Sequence, residues 1–405
     1  MPLADRVRRI LDWRAATIAA AVLLCGSPLL AALFQAKPAS QSAVPPPSVA
    51  RKRLQATLDA MHEAGRFPGG TAGFVLADGT SFAVATGVSD PATQTHMTAS
   101  DRMLIGGVGK TYGAAITLQL VQEKRLALTD KIEKWLGTTD WFSRLPNARS
   151  ITVRMLMNHT SGLPRYELNE KFIGDLTRQP DKTWQPEELL GYVLDAKPPF
   201  AAGAGWQYSD TNFIVLGLII ERVTGSTYYA ELSRRLLAPF KLKDTVPSDS
   251  RTIAGLAPGF AGPDNPFGGT DRMIQDGKLV INPQFEWAGG GLAATSLDLA
   301  RWAKVLYEGR VFNKLLLADM LQGVAAKTGP DARYGLGVII RQTPLGSTYG
   351  HSGSFPGYLT EMAYFPDPHV AMAVQVNSSA PDATAKPLIR YLTDFGRILA
   401  GKPSS

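Results

Sequence analysis

The 405-residue chain has a single cysteine, Cys25, so it can form no internal disulfide and its stability must come from a packed core. Its five histidines (62, 96, 159, 351 and 369) lack metal-ligand spacing, and His62-Glu63 lacks the second histidine of a helical zinc motif. No metal and no cofactor is therefore expected. One-sided charge is scarce too. The formal net charge is +7, and Arg6, Arg8, Arg9, Arg14 and Lys37 against Asp5 and Asp12 place +3 of it in the first 50 residues, leaving +4 for the rest. No basic stripe with aromatic or helix-turn-helix context is present, which argues against nucleic acid as a partner. There is no internal repeat, and no low-complexity stretch beyond one proline-rich segment. What remains is an ordinary globular composition, 45% hydrophobic and 19% charged, long enough for one large or two medium domains.

The N-terminus carries the first positive signal. Four arginines precede an uncharged run from Ala15 to Phe34, the pattern of a signal peptide or membrane anchor with its basic flank held inside. At 1.5 Å per residue that run is long enough for a bilayer core of about 30 Å, although Gly26-Ser27-Pro28 interrupts it. No A-x-A cleavage site follows closely, which favours an uncleaved anchor. Residues 1–36 are thus expected to export or anchor the protein, placing the rest outside the cytoplasm, in the periplasm or on the outer face of the inner membrane. Residues 37–50, with Pro45-Pro46-Pro47, read as a stiff linker.

In the remaining chain, 51–400, the hydrophobic period changes twice. Leu54, Leu58 and Met61 share a helical face closed by Gly65. Gly73 to Val88 alternates around Asp78-Gly79, a hairpin signal. A helix is expected from near Gly107 to about Lys124, followed from about 126 to 296 by helical patterns broken by Pro/Gly loops. These include Pro186–Leu194 and an apolar helix from Asn212 to Val223, stopped by Gly225. Another helix is capped at Ser296-Leu297-Asp298. Period two then returns over Tyr334–Arg341, Ser347–His351, Leu359–Phe365 and Val370–Asn377, before a last helix over about Ala383–Leu399. Strands at both ends with helices between predict an α/β (α+β) fold: one antiparallel sheet drawn from both termini, flanking helices and a helical insertion.

Three short motifs bear on chemistry. Gly107-Val108-Gly109-Lys110 opens a helix, Tyr208-Ser209-Asp210 follows the loop Gly203-Ala204-Gly205, and His351-Ser352-Gly353 ends a strand. Read alone, Gly106 to Thr111 could pass for a phosphate-binding loop, making the chain a nucleotide binder. The usual pattern needs glycine where Leu104 stands, and the variant with a leading lysine has Ile105 there. Neither the preceding buried parallel strand nor a later strand ending in Asp is evident.

The order and spacing of the three motifs resemble the serine β-lactamase-like family, which includes class C β-lactamases, D-alanyl-D-alanine carboxypeptidases and related esterases. Leu156-Met157-Asn158-His159-Thr160-Ser161-Gly162-Leu163 and Gly289-Gly290-Gly291-Leu292 extend the likeness over roughly residues 51–400. The resemblance implies a scaffold for amide or ester hydrolysis by acyl transfer, on cell-wall peptide, β-lactam or ester substrates. It further implies that Lys110 and Tyr208 form the acid/base pair and that His351 stands near Tyr208 and the substrate carboxylate. Asp210, Gly353 and Ser354 would contact substrate, and the backbone N–H groups of Gly107 and Ser354 would form the oxyanion hole. The chain departs from the family at two of these positions. Asp210 replaces the commoner asparagine; an ionised carboxylate accepts but does not donate, and would pair with Lys110. Gly107 stands where the family has its nucleophilic serine. Without that hydroxyl the covalent route is closed, so a catalytically disabled or ligand-binding member is expected. The alternative is a noncanonical hydrolase using an activated water, or one of Thr111, Ser209, Ser352 and Ser354, as nucleophile. The expected partner is a small-molecule or peptidoglycan-type ligand, with the membrane reached through the N-terminal segment and the oligomeric state left open.

Overall fold

A computed structural model describes residues 47–263, 265–267, 271–329 and 332–401. The N-terminal export or anchor segment and most of the linker lie outside the described residues; among those described, no helix is long and apolar enough to cross a membrane. The linker's last residues are helical, because α1 runs Pro47–Ala64 and already starts at the third proline. Proline is tolerated there, since the first turn of a helix has no use for its missing N–H.

Strands β1 (Gly69–Val75), β2 (Ser81–Asp90) and β3 (Thr95–His96) come from the first part of the chain. The last part supplies β4 (Val324–Ala325), β5 (Arg333–Tyr334), β6 (Ile339–Thr343), β7 (Gly346–Phe355), β8 (Tyr358–Phe365) and β9 (Val370–Val376). Together they form one antiparallel sheet in the order β3-β2-β1-β9-β8-β7-β6-β5-β4. The two termini meet where β1 pairs with β9, Gly70 opposite Val376. The central strands β1, β8 and β9 are buried along their whole length. Alternation along β9 assigns each side: Met372, Val374 and Val376 join Leu54, Leu58 and Phe395 on one face, while Ala371 and Ala373 join Leu299 and Trp302 on the other. Accordingly α1 and α5 (Leu388–Leu399) cover the first face and α4 (Ser296–Tyr307) the second.

Several boundaries differ from the sequence expectation, two of them in the sheet layers for local reasons. The single strand expected over Tyr334–Arg341 is two, β5 and β6, because Gly335 to Val338 turns against the helical layer; the N–H of Gly337, at φ +69°, donates to Met157 O. The last helix begins at Leu388 rather than near Ala383: Pro387 disfavours helical geometry at the preceding residue, Lys386, and itself takes the N-cap position.

One close approach positions everything that follows. Ile105 follows a short strand, Met103–Leu104, and passes so near β7 that a Cβ on Gly353 would lie 1.8 Å from Ile105 O. Gly353→Ala is therefore expected to destabilise the fold by at least about 2 kcal/mol, the scale of overpacking a rigid contact. Urea denaturation checks this, and an unchanged midpoint would contradict it.

Candidate active site

After Ile105 the chain makes a tight 3-10 turn, Gly106–Gly109, and only then enters the α-helix α2, Lys110–Gln122. The helix expected from Gly107 thus begins three residues later. The turn is wedged between two other backbones. Gly106, at φ +46°, lies against Ser354, and Gly109 lies against Gly290. A Cβ on Gly290 would in turn sit 2.8 Å from Gly106 O. Gly107, Lys110 and Ser354 are brought together by this nesting of backbones, as the motif order suggested.

Lys110 points into the protein and is 1% exposed. A buried ammonium has to be paired and its donors satisfied. Its Nζ lies 2.5 Å from Asp210 Oδ1 and donates to Gly289 O. It also stands 4.8 Å from the ring centroid of Tyr208 and 5.5 Å from that of Phe213, on their electron-rich faces. Asp210 is the N-cap of α3 (Thr211–Thr224), where the helix dipole favours a carboxylate. The ion pair suggested by the aspartate in place of asparagine is present.

Tyr208 is nearly buried and packs on the ring of His159, with centroids 4.4 Å apart. Behind it runs a chain of hydrogen bonds. His351 Nδ1 lies 2.6 Å from Ser352 O, a carbonyl that only accepts, so Nδ1 carries a proton. Tyr334 Oη lies 2.8 Å from His351 Nε2. At the other end the Ser209 N–H and Asn212 Nδ2 donate to His159 Nδ1, at 3.4 and 3.0 Å, so the proton of His159 is on Nε2. That N–H donates to Tyr334 Oη over 3.1 Å. These bonds pin both imidazoles and Tyr334 around Tyr208.

His351 is fully buried, 6.1 Å from Tyr208 between ring centroids, and both its nitrogens are turned to Tyr334 and Ser352. The resemblance put it near Tyr208 and the substrate carboxylate; in the structure its hydrogen-bonding edge faces Tyr334. His159, which reads from the sequence as a loop-fixing residue, sits at φ +62° in the centre of this chain. Sequence reasoning missed Tyr334 and Asn212, since neither stands in a motif that carries chemistry.

The hydroxyls that could replace a nucleophile are mostly engaged. Thr111 Oγ1 donates to Val108 O and accepts from Trp302 Nε1, each at 2.8 Å. Ser209 Oγ donates to Pro164 O at 3.0 Å, and Ser352 Oγ is held between Arg341 and Glu361 at 2.7 Å from each. Ser354 Oγ is buried and has no hydrogen-bond partner among the described residues, hence no base beside it.

Beside Ser354 a small recess opens, lined by Glu167, Asp210, Glu286, Phe172, Phe285 and Phe355 among others. Glu167, also unanticipated, is 5% exposed and pairs through Oε1 with Arg165 Nε at 2.8 Å. Burial pushes its carboxyl above the usual range, the nearby Asp210 charge adds to this, and Arg165 opposes it.

The beta-lactamase family model matches residues 54–396. Over 375 residues the chain is 23% identical to a penicillin-binding protein of Bacillus subtilis, covering 87% of this chain and 77% of that one. It is 26% identical over 312 residues to a D-aminopeptidase of Brucella anthropi, covering 76% of this chain but spanning only 56% of that relative's length. Among solved structures, a D-stereospecific amidohydrolase from Streptomyces sp. is 27% identical with a TM-score of 0.72, covering 86% of this chain and 98% of its own.

The raised pKa of Glu167 has a measurable sign. The native protein holds this proton more tightly than the unfolded chain, so the stabilising contribution is complete below 4.5 and is lost as pH rises through the higher folded value. Glu167→Gln should therefore lose less stability than the unmodified protein as pH rises above 4.5. Parallel stability–pH curves would contradict this.

Proposed function

The chain belongs to the beta-lactamase family, and from that premise we propose that it is a disabled member, binding an amide- or ester-type acyl ligand without forming a covalent acyl-enzyme. The observation that carries this reading is Gly107 itself. It lies one turn before Lys110, in the position from which a side-chain hydroxyl would face the buried ammonium. Acyl transfer needs a nucleophile, a base and oxyanion donors. The approach of Lys110 Nζ to within 4.8 Å of the Tyr208 ring centroid supports these two as base candidates, and a glycine at 107 would keep its backbone N–H as a donor. Only the attacking atom is missing. Its loss in other serine hydrolases costs roughly 10⁶ in kcat, or about 8 kcal/mol of transition-state stabilisation.

The engaged state of Thr111, Ser209 and Ser352, and the lack of a base at Ser354, weigh against a substitute hydroxyl. In this reading Lys110 and Asp210 polarise a bound carbonyl ligand and Tyr208 forms a wall of its site. His351 and Tyr334 act as positioning residues behind that wall. Penicillin-binding and D-aminopeptidase relatives support ligands with an amide or lactam carbonyl, including peptidoglycan-type fragments. The N-terminal segment would hold the domain outside the cytoplasmic membrane, where such ligands occur.

Incubation with a labelled penicillin followed by intact-mass measurement tests the reading. The expected result is an unchanged mass with reversible, saturable binding, and no p-nitrophenyl ester turnover that Lys110→Ala abolishes. A stoichiometric covalent adduct on the unmodified chain would overturn it.

A further inference from the structure

We propose that one end of the domain, carrying the start of α1 and the last turn of α5, rests on an anionic phospholipid surface and holds the candidate site at the far side of the domain from the bilayer. This rests on the membrane reading of the N-terminal segment above and adds which face meets the lipid. The two helices run antiparallel: the Arg66 N–H, just past α1, donates to Ala383 O, just before α5, at 2.9 Å. The start of α1 therefore lies beside the end of α5. Both reach the end of the sheet where the β1–β2 turn lies. The Arg51 guanidinium stands 5.7 Å from the ring centroid of Phe82, just after that turn. Phe74, just before it, meets Phe395 edge to face at 5.4 Å.

This end is basic. Arg51, Lys52 and Arg53 follow one another on α1 and are exposed, and Arg397 stands half-buried in the last turn of α5. None of the four is in an ion pair among the described residues. Two exposed carboxylates share the end, Asp78 in the β1–β2 turn and Asp367 in the β8–β9 turn, so the unpaired cations outnumber them. The start of a helix favours carboxylates over cations, yet the first turn of α1 has no acidic residue. The fold offers these cations little, whereas an anionic surface offers each a partner. Val49, on the same stretch, is 40% exposed and is one of two exposed large hydrophobic side chains among the described residues. An apolar side chain set among cations matches the boundary of a bilayer, where headgroup charge overlies acyl chains.

The way the chain enters the domain selects lipid over other anionic surfaces. Only twelve residues, 35–46, separate the uncharged run Ala15–Phe34 from Pro47, the first residue of α1. Fully extended they span roughly 40 Å, so the start of α1 stays close to whatever holds that run. The candidate site is at the other end. β7 starts at Gly346, next to Leu345, whose Cδ1 would lie 2.7 Å from a Cβ on Gly396 of α5. It reaches Ser354 eight residues later, about 26 Å away at 3.3 Å per residue. A domain resting on its basic end thus keeps the site about that far from the headgroups.

The full chain, reconstituted with vesicles of phosphatidylcholine alone or with one-third phosphatidylglycerol, floated on a density gradient and followed by hydrogen exchange, tests the proposal. Recovery with both lipids is expected. On the anionic vesicles the amides of the β1–β2 turn and of the first turn of α1 should exchange at least fivefold more slowly than on neutral ones. Those of Tyr166–Leu168, beside the site, should not change. The slowing should vanish in 0.5 M KCl, where the screening length falls to about 4 Å, and in the triple variant Arg51→Gln, Lys52→Gln, Arg53→Gln. Equal exchange on the two lipids overturns the proposal, as does slowing that survives the added salt or persists in a folded triple variant. The salt arm uses the unmodified chain, so the comparison stands even where the variant fails to fold. Recovery with anionic vesicles only would overturn the anchor reading and support the basic face; recovery with neither overturns both.

Discussion

The site depends on one buried charge. The Lys110 ammonium is removed from water at the start of α2 and held by Asp210 Oδ1 and Gly289 O. Those partners come from different segments, so the charge ties the 3-10 turn, the start of α3 and the glycine run at 289–291 to one point. Removing one partner of such a pair costs about 3–5 kcal/mol in other proteins, because the other is left uncompensated in a poorly solvating interior. A charge that expensive is retained here although the residue three positions earlier has no side chain. It is better explained as part of a site than as a source of stability, since an apolar pair of similar volume is often no less stable.

Around that charge the structure is over-determined. Tyr208 is held between the Lys110 ammonium on its face and a hydrogen-bonded wall of His159, Tyr334 and His351. The wall is anchored by a backbone carbonyl at one end and a backbone N–H at the other. The aromatic recess is lined by Asp210 and Ser354 among others. The same geometry that would suit catalysis therefore also suits selective binding, and position 107 decides between them.

Much of this was legible in the chain. Period-two patterning at both ends and helical patterning between them gave the sheet and its layers, and the order of three short motifs brought Lys110, Tyr208 and His351 to one place. Other parts were hidden for physical reasons. Tyr334 comes from a two-residue strand whose neighbour across the turn is set by packing on α2, which no local pattern encodes. Glu167 looks like a loop carboxylate until the fold buries it beside Asp210. The first turn of α2 is 3-10 rather than α because Gly106 and Gly109 lie against other backbones, a tertiary demand that periodicity does not carry.

The central claim is that a working acyl-transfer site is intact around an absent nucleophile. Gly107→Ser, incubated with a labelled penicillin and weighed intact, tests it most directly. The account predicts a stoichiometric adduct that the unmodified chain does not form and that Lys110→Ala removes. A folded Gly107→Ser protein that stays unlabelled would contradict it.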